Sequence, residues 1–197
     1  MKKINGYITY EELKKDLLLL DNAQDKFILL AVYKGITGKN NMSDLLNIKI
    51  EDINLNNHTI ELADRVVKMD EELEKLVIKT MEQKTLFTET RNGNGFCQDE
   101  IELNMDSPYL IKVRPRAINK NGLEPMKYGG FRTRIKAIRE KCGLELSASQ
   151  LETSGIVNEL LAEKKDWTVL DVEFALRMKN IKANAYRIYS IIKEINS

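Results

Sequence analysis

The chain has 197 residues, 43% of them apolar, and its charges nearly balance at a formal net charge of +1. This size and apolar fraction predict one sizeable core, so we expect a single domain over residues 1–197. No run approaches 18 uninterrupted apolar residues and the first residues are polar, which argues against a membrane span or a signal peptide and favours a cytoplasmic protein. Cys97 and Cys142 lie far apart and His58 is the sole histidine, so neither a Cys/His metal site nor any other cofactor is predicted.

The first part of the chain predicts two helices and a glycine-bounded loop. A capping box at Thr9 starts a helix that runs to Leu20. Over residues 27–32 the apolar side chains are nearly continuous, which predicts a second helix buried on most of its sides. Two glycines within 35–38 then end this pattern. Ser43 is predicted to cap a short helix that follows.

A small sheet is predicted next. Alternating apolar residues over 50–55 and the β-prone segments 59–62 and 65–69 indicate short strands, the last two joined by a tight turn. Asp70 then caps a helix that ends near Gln83. Residues 84–108 show a weak pattern, which predicts a loop or a loose hairpin.

The distal half is predicted to be largely helical. A β-like run over 109–113 leads to a helix over 126–142, with Gly143 just beyond its end. Ser147 or Ser149 caps a helix to about residue 163, Thr168 caps another to residue 177, and the last helix covers 185–195. The whole pattern predicts a mainly α fold with a small antiparallel β-sheet.

The charges are unevenly distributed although their sum is small. Residues 112–141 contain ten Lys or Arg against only Glu124 and Glu140, so this segment carries +8 and the remainder −7. A basic face on an otherwise acidic chain is suited to phosphate neutralisation, because each phosphate contact releases counterions. The alternative is an ordinary solvated helix face.

Residues 26–62 carry an ordered set of motif residues: Tyr33, Gly35, Ile36, Ser43, Asp44, Leu45, Ile48, Glu51, Asp52 and Ile53. They resemble the first block of the catalytic domain of tyrosine recombinases, the phage integrases. That block has an apolar helix, Y-x-G-hydrophobic-R, S-E-L, a segment ending in D-I, and a strand. Thr37 stands where the family has its first catalytic arginine, and the turn that carries a catalytic lysine in the family holds only Asp64 and Arg65.

The resemblance continues through the second catalytic box of the family, G-(I/L)-x-x-(S/T)-x-H-x-L-R-H. Aligned on Gly143 and Leu151, the catalytic positions of the second box and of the segments after it carry other residues. These positions, from the first histidine to the tyrosine nucleophile, are Ser149, Glu152, Thr153, Met178 and Arg187. Tyr186 and Tyr189 flank the last of them, and their helical spacing with isoleucines predicts packing residues; a displaced nucleophile is the alternative.

Over about residues 10–195 the resemblance implies an integrase-like domain that lacks the amino-terminal core-binding domain, either as a half-length protein or as a piece of a longer chain. It further implies a catalytically inactive protein, not an enzyme, of the type that serves as a repressor in temperate phages. Double-stranded DNA is then the expected partner. The residues predicted to face DNA are Lys39, Arg114, Lys127, Arg132, Arg134 and Lys136.

Two other hypotheses remain open at this stage. A protein-interaction module on the same fold is favoured by the low net charge and by Glu152, and an active recombinase with relocated residues would use Tyr186 or Tyr189. The resemblance also implies self-association, because the segment after the nucleophile often docks on a neighbouring subunit in the family. The isoleucines at 188, 191, 192 and 195 would serve that contact, or they would pack within the chain.

Overall fold

The computed structural model describes residues 4–38, 40–92, 95–115, 121–179, 181 and 183–197. Within these residues the chain forms eight α-helices and five strands. The helices are α1 Tyr10–Leu18, α2 Ala23–Tyr33, α3 Ser43–Asn47, α4 Glu71–Glu82, α5 Tyr128–Cys142, α6 Ala148–Glu163, α7 Val169–Met178 and α8 Ala185–Ile195. The strands are β1 Ile53–Asn54, β2 Thr59–Glu61, β3 Val66–Lys68, β4 Thr85–Asn92 and β5 Gly95–Glu102. The prediction of a mainly α fold with a small antiparallel sheet is confirmed.

Side-chain caps fix most helix starts where the sequence predicted them. Thr9 and Thr168 each form a capping box, and Asp70 accepts a hydrogen bond from the backbone of Leu73. Ser147, rather than Ser149, caps α6. The predicted cap at Ser43 is wrong: the chain enters α3 through left-handed backbone at Asn41 and Met42, so Ser43 is already the first helical residue.

The strands form two separate sheets. β1, β2 and β3 form an antiparallel sheet in that order, with Ile53 opposite Ile60 and Ile60 opposite Val67. β4 and β5 pair along eight residues each, so the hairpin predicted as one of two alternatives for residues 84–108 is confirmed. The predicted strand at 109–113 is wrong. Only Tyr109 forms a bridge, to Lys49, because the following residues turn their side chains into the core.

Within the part of the chain that the structure describes, two apolar cores meet in α6. The larger core surrounds α2, whose residues 27–32 are completely buried as predicted. The smaller core is formed by α6, α7 and α8, and it holds Ile188, Ile191 and Ile192. These isoleucines therefore pack within the chain, which was one of the two alternatives. No described helix is long and apolar enough to cross a membrane.

Two buried features hold the larger core together. Gly155 of α6 lies so close to the end of α2 that an added Cβ would lie 1.7 Å from the carbonyl oxygen of Tyr33. Lys112 is completely buried, and its ammonium donates to the carbonyls of Thr80 (3.3 Å) and Met81 (2.8 Å) at the end of α4. A cation at a helix carboxyl end satisfies orphan carbonyls and the helix dipole. The Lys112 ammonium is therefore not available at the basic surface that the sequence predicted.

Candidate nucleic-acid interface

The basic surface predicted from the sequence comprises exposed cations on α5, immediately before α5 and at position 114. Arg114, Lys127, Arg132 and Lys136 are exposed. Of these, Lys136 has a loose contact of 3.7 Å with Glu140, while the other three have no acidic partner among the described residues. Unpaired exposed cations can bind phosphate without first breaking an internal ion pair. Lys39, also predicted to face DNA, lies outside the described residues.

The prediction that Arg134 faces outward is wrong. Its Nε lies 2.5 Å from a carboxylate oxygen of Asp25, and a second guanidinium nitrogen donates to Gln24 at 3.2 Å. Both ionic side chains are only 13% exposed. Position 134 falls about 60° round the helix from Phe131, at the edge of the inward face, so a long side chain there can turn toward α2. Arg134 therefore joins α5 to α2.

Other cations of the basic segment also have internal partners. Arg139 donates to the carbonyl of Glu145 at 3.1 Å, and the Lys141 ammonium lies 2.6 Å from Asp21. Together with Lys112 and Arg134, these residues stabilise the fold. The excess of positive charge in the sequence is consequently larger than the charge available to a ligand on this surface.

The two positions aligned with the family's arginines meet in space. The hydroxyl of Thr37 donates to a carboxylate oxygen of Glu152 at 2.8 Å. Thr37 lies in the loop after α2 and is 7% exposed, while Glu152 lies half-buried in the first turns of α6. The loop depends on Gly38, which has φ +80° and where a Cβ would lie 2.5 Å from the Ser43 hydroxyl. No cation among the described residues lies within ion-pair distance of Glu152.

A nearby arginine is already engaged. One terminal nitrogen of Arg65 lies 3.0 Å from Asp44 and 3.1 Å from Asp64, and the other donates to the carbonyl of Gly35 at 3.0 Å. The Asp44 side chain is only 9% exposed, so the Arg65 guanidinium provides a cationic partner for a carboxylate that is largely shielded from water. Arg65 therefore joins the loop after α2 to the β2–β3 turn.

The remaining aligned positions differ in their surroundings. Thr153 is buried and donates its hydroxyl to the carbonyl of Ser149 within α6 at 2.8 Å, whereas the Ser149 side chain is exposed. Met178 and Arg187 are exposed on α7 and α8. The structure thus brings Thr37 and Glu152 together and leaves Met178 and Arg187 at the surface.

The two tyrosines near position 187 also differ. Tyr189 is half-buried against the smaller core, as the packing prediction required, but Tyr186 is 67% exposed. Two residues of helix turn Tyr186 about 160° away from the buried Ile188, which explains why that prediction is wrong for Tyr186. Among the described residues there is no group of three or more side chains able to hold a metal ion.

Sequence reasoning missed the contacts that join distant segments. Thr37 and Glu152 are 115 positions apart, and Arg134 and Asp25 are 109 apart. The one available indication for the second pair was Asp25 itself, a carboxylate at the start of an otherwise apolar helix.

A largely helical body with a three-stranded antiparallel sheet, and with the loop after α2 facing the start of α6, fits an integrase-like catalytic domain of the tyrosine-recombinase type. A family model supports this class. The chain belongs to the family described as "MrpR, C-terminal catalytic domain", whose model matches residues 7–193.

One curated relative is the tyrosine recombinase XerA of Pyrococcus horikoshii. It is 29% identical over 160 residues, which cover 78% of this chain and 47% of that protein. The chain therefore spans about half the length of this relative. The similarity extends the resemblance beyond the short motifs to most of the domain.

Proposed function

We propose that this protein binds double-stranded DNA without cutting it, and that it acts as a phage or prophage repressor by occupying operator DNA. The observation that carries the proposal is the Thr37–Glu152 hydrogen bond of 2.8 Å. A hydroxyl and a carboxylate occupy the two aligned positions at which tyrosine recombinases have arginines. Strand transfer to a tyrosine needs cationic donors around the phosphate, and a carboxylate repels that charge.

Binding without strand transfer requires only cations that can reach the DNA backbone. Arg114, Lys127 and Arg132 are exposed and have no acidic partner among the described residues, and Lys136 is only loosely paired. Such groups position DNA and make its binding dependent on salt, whereas base contacts would supply sequence specificity. The likeness to a tyrosine recombinase supports DNA as the ligand.

The first experiment measures binding to a fluorescent random-sequence duplex by anisotropy at two salt concentrations. The double variant Lys127→Ala, Arg132→Ala should bind more weakly and should reduce the salt slope by about two, one for each lost phosphate contact. The matched control is Lys79→Ala, Lys165→Ala, which removes the same charge from exposed positions on α4 and after α6. Equal binding by the two double variants would contradict the assignment of this surface.

The second experiment tests strand transfer. A duplex selected for binding is nicked to trap a covalent intermediate, incubated with the protein and separated under denaturing conditions. We expect no adduct, because removing even one charge-stabilising donor typically costs a factor of about 100 to 1,000 in rate. An adduct that disappears in Tyr186→Phe or Tyr189→Phe would refute inactivity and favour an active recombinase, while leaving the DNA-binding part of the proposal intact.

The same measurements separate the proposal from a protein-interaction module. That second function is favoured by Glu152 and by the net charge of +1, since neither attracts phosphate. It predicts no measurable binding to any duplex at low salt, where electrostatic binding is strongest. Salt-dependent binding that is weakened by the Lys127, Arg132 double variant excludes it.

A further inference from the structure

Helix α7 is apolar on two opposite faces. Val172 and Leu176 are buried in the smaller core. On the other side, Leu170, Phe174 and Met178 are 75%, 66% and 71% exposed. These three residues are spaced four apart, so they form a continuous exposed strip along the helix. A strip of large apolar side chains of this kind on a protein surface marks an interaction site.

The two edges of this α7 strip carry different charges. Along one edge lie Glu173 and Arg177, both exposed, and neither forms an ion pair with the other or with any other described residue. On the other edge, Asp171 is already used: it completes the capping box of Thr168 and lies 3.1 Å from the Lys164 ammonium. The α7 strip therefore offers one unpaired anion and one unpaired cation, on the same edge.

The three apolar residues of the α7 strip are symmetric about Phe174, with Leu170 and Met178 four residues to either side. We propose that the α7 strip binds the α7 strip of a second copy of this chain, antiparallel, about a twofold axis at Phe174. Leu170 then lies opposite Met178 of the second copy. A rise of about 1.5 Å per residue places Glu173 only about 3 Å along the helix axis from Arg177 of the second copy, on the same side of the helix pair. Because the dimer has twofold symmetry, this ion pair is formed twice.

The charges favour this antiparallel geometry over a parallel one. In a parallel pair with a twofold axis along the helices, Glu173 would lie level with Glu173 of the second copy and on the opposite edge. The unpaired charges would then stay unpaired. The exposed Leu18 and Leu19 at the end of α1 are adjacent in sequence and form no comparable strip, so they are a poorer complement to α7.

The area of the α7 strip determines how strong the proposed dimer should be. At about 200 Å² for a fully exposed large apolar side chain, the three residues offer about 400 Å² per copy. Stable specific interfaces bury about 800 Å² per partner. The dimer should therefore be weak in free solution, and it should become favourable when two copies are held close together, as on adjacent binding sites.

Sedimentation equilibrium of the DNA-free protein tests the contact independently of the proposed function. Between about 1 µM and about 500 µM the parent should pass reversibly from monomer to dimer. Phe174→Glu should weaken the dimer at least about tenfold, because two carboxylates would face each other at the axis. Leu18→Glu, at an 80% exposed position, is the control and should leave the dimer unchanged. A monomer throughout, or equal weakening by both variants, overturns the proposal.

Charge reversal tests the antiparallel geometry itself. Glu173→Arg and Arg177→Glu should each weaken dimerisation about tenfold by opposing like charges, and the double variant should restore it to within about threefold of the parent. Because both side chains are exposed, neither change affects the core. Single variants that dimerise like the parent, or a double variant that stays weak, would show that a different surface makes the contact.

Discussion

Replacing Gly155 by alanine should separate the two helices on which the candidate site depends. A Cβ at this position would lie 1.7 Å from the carbonyl oxygen of Tyr33 and 2.8 Å from its carbonyl carbon. Real Cβ contacts almost never fall below 3.0 Å, and the Tyr33 carbonyl is part of the backbone at the packed end of α2, so it cannot move away as a flexible side chain can. The helices α2 and α6 must therefore move apart by about 1.3 Å locally.

The cost of this change can be worked out from opposing terms. Overpacking a rigid contact costs about 3 kcal/mol or more, since the separation also loosens the packing of Leu151 and Val157. The higher helix propensity of alanine raises the free energy of unfolding by about 1 kcal/mol. The free energy of unfolding should thus fall by about 2 kcal/mol or more. The Thr37–Glu152 hydrogen bond joins the same two segments and should weaken with them.

Urea unfolding followed by circular dichroism measures this difference, and α5 offers a matched control. Gly129 is also helical, but an added Cβ there would meet nothing within 4 Å. Gly129→Ala should therefore stabilise the protein by up to about 1 kcal/mol through propensity alone. If Gly155→Ala proves as stable as the parent, the close approach of α6 to α2 does not exist as described.

Three further changes test the buried and capping charges. Arg134→Ala should lower the free energy of unfolding by about 3 kcal/mol in urea titrations, because the largely buried Asp25 carboxylate then loses its cationic partner. A loss below about 1 kcal/mol would contradict this expectation. Burial lowers the pKa of Lys112, so just below pH 10.5 the folded state binds fewer protons than the unfolded state. The parent should therefore gain stability relative to Lys112→Met as the pH rises toward 10.5. A stability difference that stays constant with pH would refute this prediction. Backbone and side-chain hydrogen bonds from Thr168, together with Lys164, lower the pKa of Asp171 to about 2, so its stabilisation is complete above pH 3.8 and is lost as pH falls through about 2. The melting temperatures of the parent and Asp171→Asn should converge there.

The helices could be predicted from the sequence because their signals are local. The last helix was predicted at 185–195, and the structure forms α8 over Ala185–Ile195 with Asn184 as its cap. The cap at Thr168 and the left-handed end at Gly143 follow from side-chain chemistry within a few residues. Each of these features depends on neighbours along the chain.

The candidate site could be predicted only in part, because its geometry depends on distant segments. Periodicity places residue 134 at the edge of the inward face of α5, and only the folded position of Asp25 decides where Arg134 points. Lys112 was counted as surface charge because no local pattern shows that the end of α4 lies above it. The alignment found Thr37 and Glu152 as separate replacements, while their hydrogen bond required the fold.

The position of α6 between two cores affects how the protein can open. Leu151 belongs to the larger core, whereas Val157 and Leu160 belong to the smaller one. The buried side chains of α7 and α8 all belong to the smaller core, so this helix pair can detach while α2 and the first half of α6 stay packed. Amide hydrogens in α8 should accordingly exchange with solvent faster than those in α2. A partner that binds α7 would thereby slow the opening of the α7–α8 pair.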